Sequence, residues 1–392
     1  MARKTRGWTG LALRLVAGVS VAGSGLIAVL PQPTAAIWQA SVLLSEGGYW
    51  LAAVAAPLLY GWRRSPGHAL AAGVTLTGIV LLVSPIAQAL SIGRSLPDVM
   101  TERFGATGPP SAFADSPRPA PLSIPSLILG VSSNDVVVDE HVYNVVEGTE
   151  LTLDLYRPEF AEGALPMVVM IHGGAWMSGD KRDLVSLNDY LAARGYVVAA
   201  ISYRLAPGAP FPAAQADVAA AVRYLKTLDE THGVDPQRIA FVGRSAGGQI
   251  ALLAAYTADD PAVKGVVSFY GPAALRWGYA NPAKPGVVNS SGVLDVYLGG
   301  SPHTHGPQYD AAEPARFVSV STPPTLFIQG LRDEHVSPFH AEFVSARLLE
   351  EGVPHMLVRL PWATHGCDYL FRGPCGQVST FAVERFLGAI LR

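Results

Sequence analysis

Charged residues are scarce in this 392-residue sequence: they make up 15%, against roughly a quarter in ordinary soluble proteins. With 49% hydrophobic residues beside them, intrinsic disorder is excluded. Cysteine is scarcer still. Cys367 and Cys375 are too few for a disulfide scaffold and lack the C-x2-C spacing of a zinc site. No run of Lys or Arg follows residue 100, where 21 basic residues face 29 acidic ones, so nucleic acid is not an expected partner. Residues 1–100 hold seven basic and two acidic residues, and the apolar excess behind the mean hydropathy of +0.28 is concentrated there. Two different solvents are implied.

Three apolar stretches fall in residues 1–92. Ala69 to Leu90 runs 22 residues without a charge, against about 20 needed to cross a bilayer core. Leu11 to Leu30 contains only Arg14, one turn from its end and expected to snorkel to the headgroups. The third stretch, Leu43 to Trp62, carries Glu46 near one end beside Tyr49 and Trp50 as an aromatic belt. Three spans are expected. The first has the basic flank of a secretory signal, but its 20 residues exceed the usual h-region of about 7 to 15. Arg3, Lys4 and Arg6 before the first span, and Arg63 and Arg64 after the second, place the N-terminus in the cytoplasm. An odd number of spans then puts the rest outside it, in a multi-pass protein of the cell membrane. Residues 93–124, with Pro97, Pro109, Pro110, Pro117, Pro119 and Pro121, read as a flexible linker.

From about residue 125 short β-rich runs alternate with helical ones. The strands are expected at Asp135–Val146, Leu151–Tyr156, Met167–Ile171, Tyr196–Ser202, Ile239–Val242, Val263–Tyr270, Thr325–Gln329 and Met356–Leu360. Helical periods fall at Lys181–Arg194, Pro212–Thr231, Ser245–Thr257, Pro338–Glu351 and Gln377–Leu391. Such alternation predicts an α/β domain over 125–392 with a mostly parallel central sheet. Residues 271–322, rich in Gly, Pro and Asn, are the longest interruption and the place for a cap.

One pentapeptide sits where chemistry would want it. Gly243-Arg244-Ser245-Ala246-Gly247 follows a strand and opens a helix, the context of a G-x-S-x-G elbow. The turn is so sharp that side chains two residues either side of Ser245 would clash, and the helix N-terminus adds a free N–H and partial positive charge. A tight structural turn is the plainer alternative. His172-Gly173-Gly174-Ala175-Trp176 follows the strand ending at Ile171, and its glycines let backbone N–H groups approach a substrate oxygen. Gly173, Gly174 and Ala246 are thus the candidate oxyanion donors. A serine nucleophile needs a base and an orienting acid later in the chain. Asp333 follows the strand Thr325–Gln329, with Glu334 as the rival acid. His365 follows the last strand, with His335, His340 and His355 as rivals. Trp176 and Tyr270 are candidates for the substrate pocket or for plain packing. Tyr203, Arg204 and Asp217 are expected to brace the fold, and His303 and His305 to lie in a solvated loop.

These motifs resemble the α/β-hydrolase superfamily, and within it the bacterial acetyl-esterase and hormone-sensitive-lipase-like carboxylesterases, with similarity also to kynurenine formamidases. The likeness rests on His172-Gly-Gly-Ala-Trp with Ser178-Gly-Asp-Lys181, on Ser202-Tyr-Arg-Leu-Ala-Pro207 with Phe211 to Asp217, on the elbow, and on the Asp333 and His365 loops. It implies a carboxylic-ester hydrolase with Ser245 as nucleophile, Asp333 as acid, His365 as base, and neither metal nor organic cofactor. Many relatives carry a third glycine where this chain has Ala175. The expected partners are an ester or lipid-ester substrate and the membrane. An acyltransferase using the same acyl-enzyme, and an inactive hydrolase fold that only binds, are the alternatives. Cys367 and Cys375, starting two residues after His365, can oxidise outside the cytoplasm and so hold the base near Ser245; two free thiols are the other outcome.

Overall fold

The computed structural model describes residues 2–60, 66–107, 116–131, 136–159, 163–228 and 232–392. Arg63, Arg64, Pro109, Pro110, Asp135 and Thr231 lie outside the described residues, as do the side chains of Arg3, Lys4 and Arg6.

Helices α1 (Ala2–Val29), α2 (Ala35–Ala55, extended by a 3-10 turn to Leu59) and α3 (Pro66–Gly93) form an N-terminal bundle. Over Gly10–Val29, Ala35–Leu59 and Pro66–Gly93 each is long and apolar enough to cross a membrane. Glycines let α1 and α3 meet backbone to backbone: a Cβ on Gly78 would fall 2.5 Å from the carbonyl carbon of Val21. Leu13, Val16 and Val19 on α1 and Leu70, Leu76 and Val80 on α3 are exposed on the outside. One expectation changes. Helix α2 starts eight residues before Leu43, because Thr34 caps it by accepting from Ile37 N at 3.3 Å. Arg14 has protein partners as well: its guanidinium donates to the carbonyls of Leu58 and Tyr60 at 3.0 and 2.8 Å.

The described part of 93–124 is packed, which differs from the linker expected there. Helix α4 (Leu96–Phe104) starts at Leu96-Pro97, where a proline is tolerated in the first turn. Leu96 and Met100 are buried, and Phe104 meets Phe386 edge-on at 4.9 Å. Leu96, Met100 and Phe104 make a one-sided stripe that the surrounding prolines obscure in the sequence. Arg118 is buried, its N–H donating to Glu384 at 3.0 Å, and the Ser123 N–H donates to Gln377 at 2.8 Å. Helix α5 (Ile124–Leu129) follows.

Among the described residues eight strands form one sheet: β1 (Val136–Val146), β2 (Thr149–Pro158), β3 (Leu165–Ile171), β4 (Val197–Ile201), β5 (Val234–Arg244), β6 (Val263–Phe269), β7 (Thr325–Gly330) and β8 (His355–Leu360). Their order is β1-β2-β4-β3-β5-β6-β7-β8, antiparallel at β1/β2 and β2/β4 and parallel elsewhere. The parallel strands are apolar on both faces because helices cover both. Helices α6 (Val185–Ala192), α7 (Ala213–Leu225), α8 (Ala246–Thr257), α9 (Leu275–Ala280), α10 (Ser290–Leu298), α11 (Gly306–Ala312), α12 (Phe339–Glu350) and α13 (Pro374–Ile390) complete the chain. Val169, Ile171 and Val197 point into the core shared with α7 and α8, whereas their neighbours Val168, Met170 and Val198 join the core of α6 and α13. Parallel strands align their carboxyl ends on one edge, and the loops after β3, β5, β7 and β8 gather there.

Candidate active site

Ser245 occupies the junction of β5 and α8 with φ 52° and ψ −121°, a left-handed conformation that a residue with a Cβ adopts at a cost of about 1–3 kcal/mol. Its N–H donates to Phe269 O at 2.9 Å, tying the turn to β6. The flanking glycines are steric requirements: a Cβ on Gly243 would fall 2.1 Å from Gly247 O, and one on Gly247 2.3 Å from His172 O.

His365 lies between the serine and an acid. Its Nε2 is 2.9 Å from Ser245 Oγ and its Nδ1 is 2.7 Å from Asp333 Oδ2. A carboxylate there accepts the Nδ1–H and leaves Nε2 free to accept from the hydroxyl. The other carboxylate oxygen, Oδ1, accepts from the N–H groups of His335 and Val336, both at 2.9 Å, which fixes Asp333 in a dry setting. The rival residues do other things. Glu334 pairs with Lys284 at 3.0 Å. His340 accepts from Ala274 N at 3.1 Å, and His355 sits 2.9 Å from Val353 O. His335 stacks on His365 with ring centres 5.0 Å apart, and burial together with that neighbour pushes its pKa down to about 4.

Two cavities meet at Ser245 and His365. The larger, about 370 Å³, is lined by Trp176, Leu275, Trp277, Val293 and Leu294, so residues after 271 form one of its walls. The smaller, about 290 Å³, is lined by His172, Gly173, Gly174, Tyr270, Tyr369 and Trp38. Gly173 packs against the serine: a Cβ there would stand 3.3 Å from Ser245 Cβ. Gly174 holds φ 111°, and a Cβ on it would collide with Ser178 O. Ala246 opens α8, where the first N–H groups have no intrahelical acceptor. Trp176 stacks on Tyr297 at 4.3 Å and donates to Gln249 at 2.9 Å, presenting an edge to the larger cavity. Tyr270 packs 4.5 Å from the His365 ring and donates its hydroxyl to Asp368. Arg204 clasps Asp217 and Tyr203 donates to His172 O at 3.0 Å, so these residues brace the loops. Cys367 and Cys375 are joined as a disulfide, with Cα atoms 5.8 Å apart.

Sequence reasoning missed Trp38, Arg244 and Asp368. Buried Arg244 and Asp368 pair at 2.5 Å, and Trp38 Nε1 donates to the carbonyl of His365 at 2.9 Å across 327 residues. No local pattern announces a contact of that length.

A family model described as BD-FAE matches residues 153–348, half of the chain. The chain belongs to the BD-FAE family. That places it in the α/β-hydrolase superfamily, as its motifs imply. Among curated relatives, the "Probable carboxylic ester hydrolase LipM" of Mycobacterium tuberculosis is 28% identical over 310 residues, covering 75% of this chain and 70% of the relative. "Esterase LipQ" of the same organism is 28% identical over 259 residues, covering 62% of this chain, which spans 60% of that relative's length. Among solved structures, one of two fungal esterases from Rhizomucor miehei superposes with a TM-score of 0.57 at 20% identity, covering 68% and 88% of the two chains. An esterase from Pseudomonas putida ECU1011 gives 0.56 at 22% identity over 66% and 84%. At these identities the structures show the α/β-hydrolase fold.

Proposed function

We propose that this BD-FAE protein is a membrane-anchored serine carboxylesterase working through Ser245, His365 and Asp333. The observation that carries the reading is the continuous relay from Asp333 through His365 to Ser245 at 2.7 and 2.9 Å, set between two cavities. The names of the curated relatives support the same reaction class. In the reaction, His365 Nε2 takes the Ser245 proton as Oγ attacks the ester carbonyl. The carbonyl oxygen becomes an oxyanion that the N–H groups of Gly173, Gly174 and Ala246 are available to receive. Collapse of the tetrahedral intermediate breaks the ester bond, and His365 hands the proton to the departing alcohol. Water then repeats the sequence on the acyl-enzyme and releases the acid. The segment 271–322 serves as the cap over the larger cavity.

The same reading puts the hydrolase outside the cytoplasm. Its support is the shared end of the bundle: Arg332 donates to Ala28 O and Leu30 O at the end of α1, Ala35 N at the start of α2 donates to Gly286 O at 3.0 Å, and Gly93 at the end of α3 abuts Pro121. Three crossings that meet the hydrolase at one end leave the basic N-terminus on the other side. A reporter active only after export, fused behind Arg392, should be active. For the chemistry, the full chain is assayed on p-nitrophenyl esters of increasing acyl length with an organophosphonate label. Ser245→Ala should abolish both turnover and labelling. Turnover within tenfold of the parent would make another residue the nucleophile.

A further inference from the structure

The loop that carries His365, from Pro361 to Gly373, has no strand and only one 3-10 turn to define it, with Gly366 at φ 71° directly after the histidine. A catalytic base must nevertheless stay within hydrogen-bond reach of Ser245, and an error near 1 Å costs up to about a hundredfold in rate. The loop's rigidity therefore has to come from its contacts. On the hydrolase side these include Asp333 on the His365 ring, the Arg332 N–H on Ala363 O at 3.0 Å, the Arg244–Asp368 pair at 2.5 Å, the Tyr270 hydroxyl on Asp368, and the disulfide to Cys375.

A second set of contacts comes from the N-terminal bundle. Trp38, in the first turn of α2, donates from Nε1 to the backbone carbonyl of His365 itself at 2.9 Å. Its ring lies 4.4 Å from that of His335, which stacks on the other side against His365. Two turns further along α2 the Glu46 side chain is fully buried, contrary to its expected place beside a membrane aromatic belt. Its carboxylate accepts from Trp362 Nε1 at 2.9 Å and from the N–H of Cys375 at 2.7 Å, so it spans both ends of the loop. Arg332 adds a bridge, donating to Trp362 O at 3.1 Å and to the end carbonyls of α1. The carbonyls at a helix end lack intrahelical donors, and Leu30 O accepts from Gln32 Nε2 at 3.2 Å as well. Bundle residues thus reach the loop three residues before the base, at the base, and at the disulfide.

We propose that α2 of the membrane bundle is a working part of the active site, with Trp38 and Glu46 as positioning residues that hold the His365 loop in register on Ser245. The proposal rests on the Ser245–His365–Asp333 reading above. It gives the bundle a role beyond anchoring: the triad is complete in the hydrolase domain, but its geometry is set by helix α2.

The test uses the full chain in detergent micelles and a soluble short-chain p-nitrophenyl ester, with rates expressed per active site titrated by a phosphonate. Trp38→Phe keeps an aromatic ring beside His335 while removing the indole N–H and part of the ring volume. It should lower kcat about tenfold or more with KM within about twofold and an unchanged melting temperature. Glu46→Gln keeps one acceptor for the two donors and should lower kcat less than Glu46→Leu does. Trp50→Phe, on the same helix, is the control and should leave kcat at the parental value. Parental kcat per titrated site in both Trp38→Phe and Glu46→Gln would overturn the proposal, as would a loss seen equally in Trp50→Phe. Full turnover in Ser245→Ala would instead overturn the underlying triad reading, so the two failures are distinguishable.

Discussion

The serine elbow and the histidine loop face each other across 2.9 Å and are built in opposite ways. The elbow is mostly local: a buried strand, a five-residue turn and a helix generate it, Gly243 is fixed by Gly247 O four residues on, and only Gly247 answers to another loop, through His172 O. The histidine loop is assembled from afar, through Arg244, Asp333, Trp38 and Glu46, the last two more than 300 residues upstream. One half of the site is specified by its own sequence, and the other by tertiary packing. Disruption of the first should therefore be steric and abrupt, and disruption of the second graded according to which support is removed.

The sharpest test of the relay is at Asp333. Asp333→Asn removes the acceptor charge that sets the His365 tautomer and should depress kcat by several decades, on the order of 10⁴, with little change in KM. Glu334→Gln, which loses only its pair with Lys284, should stay within a few-fold. Steady-state kinetics of the two variants check this, and a reversed pattern would reassign the acid. Next in size is Gly247→Ala. The added Cβ would sit 2.3 Å from His172 O, so the elbow must shift against the neighbouring loop. Activity should fall by about a hundredfold or more, with a lowered melting temperature, and wild-type kinetics in this variant would break the view of the elbow as a steric design.

These differences explain what was legible in the sequence. All eight strands lie at the expected runs, with β5 starting five residues early, and the parallel ones are legible because strands buried on both faces read as apolar runs. Ser245, Gly173, Gly174 and Ala246 are legible because they sit in short motifs whose glycines mark tight, crowded turns at strand ends. Asp333 and His365 are legible as residues at strand ends and through the family resemblance, while the 2.7 Å contact between them appears only in the structure. Helix α4 was hidden among prolines, and Glu46 was misread because a carboxylate in an apolar run looks like a span end when its partners lie more than 300 residues away. Trp38 had no sequence signal at all.

Cys375→Ser grades the histidine side. Closing a loop of about nine residues constrains the unfolded chain by roughly 2.5 kcal/mol, so the variant should melt lower by a corresponding amount. Its backbone N–H still donates to Glu46, so kcat should fall less than in Trp38→Phe. Thermal melts and kinetics on oxidised and reduced protein check both parts, and an unchanged melting temperature on reduction would show that the bridge adds nothing to the fold.

The smallest effect concerns protons. His340 is buried beside Trp277, and its Nδ1 accepts the Ala274 N–H, which requires the neutral ring. Burial lowers its pKa to about 4 from the ordinary 6.5, against the opposing pull of the nearby Asp333 charge. Because the folded value lies below the unfolded one, the unfolded chain binds more protons between these limits. The stability this neutral ring provides is complete above pH 6.5, declines as pH falls, and is exhausted below about pH 4, where both states are protonated. His340→Asn keeps an acceptor oxygen near the Nδ1 position but cannot titrate. Its melting temperature should therefore fall less steeply than the parent's between pH 6.5 and 4. Parallel melting curves across that range would show that His340 does not carry the acid sensitivity.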